Sequence, residues 1–97
     1  ATLEGDSLVV SGHFDDLRGR YWSAYIHYGA PGEEGNRLLK LHADVNEEHR
    51  GGRFDAQKNT FQISEAVRQA LGEGKLYLLV SSDRYRQGEI RGQLPML

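Results

Sequence analysis

Four histidines, His13, His27, His42 and His49, are the side chains here best suited to hold a metal or move a proton near neutral pH. His27 lies in the run Tyr21-Trp22-Ser23-Ala24-Tyr25-Ile26-His27-Tyr28, so Tyr25 and His27 share one face of any strand formed there. His42 sits in a second strand-like run, Leu38 to Val45. If those strands pair, His27 and His42 can share a site, and imidazoles on one sheet face suit copper or zinc. A catalytic zinc takes about three protein ligands and a structural zinc about four. The spacing offers two, so the histidines are expected as sheet-face and surface residues, with no cofactor. A copper or zinc site reduced to His27 and His42 is the alternative.

Carboxylates give the second set. Glu89 and Arg91 are two residues apart on one strand-like segment, hence on one face. That pairing could tune a general acid or base. With no nucleophile or base partner elsewhere, an ion pair or an arginine anchoring a loop carbonyl is expected instead. Arg91 should therefore be held inside the domain. Asp15-Asp16 and Glu33-Glu34 offer too few oxygens for calcium, which takes six to eight. The chain has no cysteine, which excludes disulfides, thiol catalysis and thiolate-bound metals. No phosphate loop, dinucleotide fingerprint or Ser-His-Asp order is present, and no enzymatic activity is expected.

These groups must be carried mainly by strands. Ser7–Phe14 alternates with Leu8, Val10 and Phe14 on one face, and Tyr21–Tyr28 places Trp22, Ala24 and Ile26 together. Gly29–Asn36 is a turn cluster and Leu38–Val45 another strand, with Leu39 and Leu41 in register. A polar loop runs from Asn46 to Gly52. Short strands are expected near Arg53–Asp55 and Asn59–Ile63. One helix interrupts: Ser64 is its N-cap, Val67, Ala70 and Leu71 share a face, and Gly72 and Gly74 stop it. Lys75–Ser81 and Glu89–Leu94 complete the set. The expected interior is Leu8, Val10, Trp22, Ala24, Ile26, Leu39, Leu41, Phe61, Ile63, Leu78, Val80, Ile90 and Leu94. About seven short strands with frequent turns imply a single all-β domain over residues 1–97, a Greek-key sandwich or barrel.

The closing segment Gly88-Glu89-Ile90-Arg91-Gly92-Gln93-Leu94, preceded by Gly74-Lys75-Leu76-Tyr77, resembles the chordin-domain (CHRD) family, as do Ala24–Tyr28 and the turn Gly29, Pro31, Gly32 and Gly35. The likeness runs from about Leu8 to Leu94. It implies an immunoglobulin-like or superoxide-dismutase-like β-sandwich, in secreted or cell-envelope proteins, with interaction or scaffold roles. Gly88, Glu89, Ile90, Arg91, Gly92 and Gln93 are then its structural motif. The family pattern carries His where this chain has Tyr25 and Ser81, and Asn where it has Leu79. Only His27 of three histidines remains.

Composition fits that reading. The chain has 97 residues, 38% hydrophobic and 27% charged, with net charge −2. That suffices for a core without metal or disulfide help. No block of Lys and Arg marks a nucleic-acid partner, and no apolar run is long enough for a membrane span. The start at Ala1, with Met96 the only methionine, is read as a mature exported chain or an excised domain. One feature stands out: Tyr21, Tyr25, Tyr77 and Leu79 are apolar or aromatic opposite an equally apolar face, where a sandwich strand usually has one wet side. This face is expected to be covered by the Ser64–Leu71 helix or by another chain, with Trp22, Tyr28 and Tyr85 as a nearby aromatic rim. The expected role is a non-enzymatic domain contacting another protein chain or neighbouring domain, with a homo-oligomer possible.

Overall fold

Period-two alternation produces ten short antiparallel strands and one helix. The structure, a computed structural model, describes residues 1–94. The strands are β1 Thr2–Glu4, β2 Ser7–Val9, β3 Gly12–Phe14, β4 Tyr21–Tyr28, β5 Arg37–Lys40, β6 Ala43–Val45, β7 Gly52–Phe54, β8 Thr60–Gln62, β9 Leu76–Ser82 and β10 Ile90–Gln93, with helix α1 Glu65–Gly72. They form three sheets, ordered β1-β2-β8, β10-β9-β4-β5 and β3-β7-β6. The four-stranded sheet lays one face on a core shared with both smaller sheets and α1, making an all-β sandwich.

Ten strands replace the expected seven because two segments turn corners and β1 is added. Ser7–Phe14 does not stay in one sheet: β2 pairs with β8, and β3 with β7. Gly12, at φ +150°, and a bond from the Val10 N–H to the Asn59 carbonyl (2.9 Å) mark the change. Leu38–Val45 divides likewise. β5 stays on β4, the Leu41 N–H donates to the Ala24 carbonyl (2.9 Å), and β6 leaves to pair with β7. Such sheet-switching is how a sandwich closes its edges. β1, which pairs with β2, has no counterpart among the sequence expectations.

Asn59 fixes this corner and is fully buried. Its Oδ1 accepts from the His42 N–H (2.7 Å), and its Nδ2 donates to the carbonyls of His42 (2.8 Å) and Asp55 (2.9 Å). A buried amide is tolerable only when satisfied in this way.

α1 matches its sequence signals. The Ser64 Oγ accepts from the Val67 N–H (3.3 Å), Glu65 occupies the first turn, and Val67, Ala70 and Leu71 are buried. Leu8, Ile26, Leu71 and Leu76 have no exposed surface. Burying each such side chain stabilises the fold by about 1.5–3 kcal/mol. Val10, Ala24, Leu41 and Val80 are also buried; Leu39, Phe61, Ile63, Leu78, Ile90 and Leu94 pack partly against the core.

Trp22 corrects the expected interior. The β4–β9 register shifts between Tyr21 and Ser23, so Tyr21 faces Ser82 and Ser23 faces Ser81. Trp22 is the extra residue of this bulge and is 54% exposed. A bulge reverses the alternation beyond it. Tyr21 therefore packs against the core, its ring 5.5 Å from that of Phe14. Burial pushes the Tyr21 hydroxyl pKa up, with the nearby Tyr25 adding to it.

Candidate functional site

On the outer face of the four-stranded sheet, strand pairing sets Tyr25 opposite Leu79 and His27 opposite Tyr77. The Tyr77 ring lies parallel to the His27 imidazole, 5.0 Å between centroids, and is 3% exposed. Tyr25 meets His27 edge-on, and the Arg37 guanidinium lies 4.5 Å from the Tyr25 ring centre. Arg91 covers Tyr77 at 3.7 Å, and its Nη2 donates to the Ala30 carbonyl (3.0 Å).

The cover over this face is the chain's own β4–β5 loop. Gly35 is gripped from both sides: its N–H donates to the Tyr77 hydroxyl (3.2 Å), and its carbonyl accepts from His27 Nδ1 (2.9 Å). A Cβ on Gly35 would overlap the Tyr28 carbonyl oxygen. So neither α1, which lies in the core, nor a second chain is needed to shield Tyr77. The four residues grouped as an interaction face are also divided: Tyr25, Tyr77 and Leu79 share it, but the bulge sends Tyr21 to the core side.

His27 and His42 are not brought together. His27 pairs with Arg37 in the outer sheet, with its Nδ1 turned to Gly35. His42 is exposed, five residues past Arg37, and its backbone is bound to Asn59 at the corner. His13 and His49 are exposed. Among the described residues no three His, Cys, Asp or Glu side chains converge as metal ligands. Glu33 has a turn role, its Oε1 accepting from the Ala30 N–H (3.0 Å).

Glu89 and Arg91 take separate partners. Glu89 accepts from the N–H of Arg18 (2.7 Å) and of Gly19 (3.2 Å) and from the Ser82 Oγ (2.8 Å). Desolvation alone would raise the carboxyl pKa, but these bonds and the Arg18 charge together hold it below the usual carboxylate range. The other motif polar residue, Gln93, points its Nε2 at three carbonyls: Gly29 (3.0 Å), Gly74 (2.8 Å) and Leu76 (2.9 Å). Gly88 passes so close to Leu79 that a Cβ would fall 2.6 Å from its Cδ1. The motif is a set of staples joining β10 to three loops.

Those staples build the end of the molecule where three loops meet. The Tyr21 N–H donates to His49 O (2.6 Å) and the Leu17 N–H to Arg50 O (2.9 Å), tying the β3–β4 loop to the β6–β7 loop. Asp83 N–H donates to Arg20 O (2.9 Å), and Arg20 N–H to Asp83 Oδ1 (2.8 Å), tying it to the β9–β10 turn. A Cβ on Gly19 would come within 2.7 Å of Asp83, Arg84 and Ser82. This end carries Trp22, with the Arg86 guanidinium 4.5 Å from its ring centre, and Tyr85, 39% exposed. They are the exposed large hydrophobic side chains among the described residues. Beside them an open cavity of about 660 Å³ is lined by Asp15, Asp16, Asn46, Glu48, Arg18, Arg50 and Arg84.

Sequence reasoning named Trp22 and Tyr85 as a rim to the Tyr25–Tyr77 face while also assigning Trp22 to the interior; it missed their gathering at this loop end because the bulge has no local signal in Tyr21–Ser23. The two motif ends, Glu89 and Gln93, were recognisable, but their partners lie far away in sequence.

No curated protein and no solved structure matches the chain. The family model described as the CHRD domain matches residues 1–94, which include the Glu89–Gln93 staples, the Gly35 clamp and both sheet-switching corners. The chain belongs to the CHRD domain family.

Proposed function

We propose that this is a non-enzymatic domain of an extracellular or cell-envelope protein that mediates protein–protein contacts or scaffolding within a larger protein or assembly. CHRD domains are generally found in secreted or extracellular proteins. The observation that carries the reading is Trp22. A sandwich strand that could bury a tryptophan instead bulges it into water, 54% exposed, against Arg86 of the turn that also exposes Tyr85. Tryptophan, tyrosine and arginine dominate the anchoring positions of protein interfaces. A loop end cross-tied by hydrogen bonds and presenting them has the design of a recognition surface on a scaffold. The outer sheet face supports this less well, since its central ring, Tyr77, is already covered. The copper or zinc alternative has less support, because His27 and His42 take partners in different places.

A Tyr85→p-benzoylphenylalanine variant, irradiated in the cells that produce the protein, should form adducts with another polypeptide. Trp22→Ala should abolish them while leaving the melting temperature unchanged. No polypeptide adduct, or adducts indifferent to Trp22→Ala, would overturn the proposal.

A further inference from the structure

We infer that the Trp22 loop end recognises an acidic segment of a partner polypeptide, one carrying several carboxylates beside an aromatic or aliphatic side chain. The inference rests on the protein-contact reading and names the partner's chemistry. Five of the chain's 12 Lys and Arg residues gather at this end: Arg18, Arg20, Arg50, Arg84 and Arg86. Four of them, with Gly19 and Asp83, line a recess of about 420 Å³. The same loops also carry Asp15, Asp16, Glu47, Glu48, Asp83 and Glu89, so the positive charge is concentrated at the recess itself, where four arginines stand against one carboxylate.

The guanidinium groups lack carboxylate partners. The ion pairs among the described residues join Lys58 to Asp44, Arg68 to Asp6 and Lys75 to Glu73, and none involves these five arginines. Two acids of these loops face the backbone instead: Asp83 holds the Arg20 N–H, and Glu89 holds those of Arg18 and Gly19. The Asp83 and Glu89 carboxylates thus fix the loops that display the arginines. Asp15, Asp16 and Glu48 line the adjoining cavity, which shares Arg18, Arg50 and Arg84 with the recess. They steer an acidic segment toward the Arg20 and Trp22 side.

Two further features point to recognition. Asp16 and His49, both in these loops, are the non-glycine residues at positive φ (58° and 59°) among the described residues. Strained backbone of this kind persists where its surroundings hold it and concentrates at binding sites. The planar guanidinium fork suits carboxylates, and Trp22 and Tyr85 supply an apolar anchor beside it. Aromatic anchors mixed with arginine favour a polypeptide over a sulfated polysaccharide, which is read by rows of cations.

Trp22 is the only tryptophan, so its emission reports on this site alone. The probe is the peptide Glu-Asp-Glu-Phe-Glu-Asp-Glu, with Lys-Arg-Lys-Phe-Lys-Arg-Lys and heparin as comparisons. The acidic peptide should shift Trp22 emission to the blue saturably, and salt should weaken the binding. Arg50→Ala and Arg84→Ala are exposed changes and should each weaken it about tenfold with unchanged melting temperature. No shift with the acidic peptide, saturation by heparin alone, or wild-type affinity in both arginine variants would overturn the inference. Tyr85 photo-adducts lost in Trp22→Ala but kept in the arginine variants would sink the acidic partner and leave the contact reading standing. Adducts lost in neither would sink the contact reading itself.

Discussion

Removing the Glu89 carboxylate should loosen the whole loop end. Three hydrogen bonds converge on it, from two backbone N–H groups and one hydroxyl. Ser82 Oγ also accepts from the Tyr85 N–H (3.1 Å), so the loss reaches the β9–β10 turn. Each bond to a charged acceptor is worth about 1.5–3 kcal/mol when well buried. Glu89 is only half-buried, and water can replace part of each bond. About 1 kcal/mol apiece is therefore the appropriate scale, and Glu89→Ala should cost about 2–3 kcal/mol. For a domain of this length that is a fall in melting temperature of roughly 10–20 °C. Glu89→Gln keeps the shape and loses the charge, which gives a pH test. The folded-state pKa of Glu89 is lowered, so its ionised form stabilises the fold above the ordinary carboxylate pKa. That contribution disappears as pH falls through the lowered value. Calorimetry should show wild type melting above Glu89→Gln at pH 7, with the gap closing on acidification. A gap that stays constant down to about pH 3, well under the ordinary glutamate pKa, or an Ala variant melting with wild type, would refute the reasoning.

Four other outcomes follow from the same structure. Asn59→Ala removes three side-chain hydrogen bonds at a fully buried corner and should cost about 3 kcal/mol or more in urea unfolding; an unchanged midpoint would show the corner is held otherwise. Gly35→Ala forces the β4–β5 loop off Tyr28, so tyrosine fluorescence and nuclear magnetic resonance shifts of His27 and Tyr77 should change together, and unaltered shifts would contradict the clamp. Arg91→Ala loses one carbonyl bond and the stacking on Tyr77 at an exposed position, for about 1–2 kcal/mol, whereas Arg91→Lys should recover only part of it; full recovery by lysine would rule out the planar stacking. The melting temperature should be the same with and without a chelator, and a chelator-dependent drop would revive a metal site at His27.

Much of the fold was legible because it is written locally. The alternation in Tyr21–Tyr28 and Leu76–Ser82, the Ser64 cap and the glycines after Leu71 each point to one element. What escaped was decided at a distance. Nothing within Ser7–Phe14 says that its halves join different sheets; the partners doing so are β8 and β7, both far along the chain. The Tyr21–Trp22 exchange is of the same kind, since a one-residue bulge reverses which ring is buried without altering composition. Glu89 and Arg91 look like a pair because they are two apart, yet the loops on either side offer each a better partner. The face around Tyr77 was legible as covered, but its cover is a glycine-rich turn that seals it by backbone geometry, which residue type does not disclose.

The three-carbonyl grip of Gln93 has a consequence for when the chain can fold. Until β10 is available, β9 keeps an open edge, the carbonyls of Gly29 and Gly74 lack their donor, and the Arg18–Gly19 loop lacks Glu89. The pairings β2–β8, β3–β7 and β4–β9 are themselves long-range, so little can settle early. The four-stranded sheet and the β3–β4 loop are therefore completed only when the Glu89–Gln93 segment pairs, so the last-made strand is also the one that closes the fold. Until then β9, apolar over Leu76–Val80, keeps one edge open to mispairing, so the final staple protects that edge as well as adding stability.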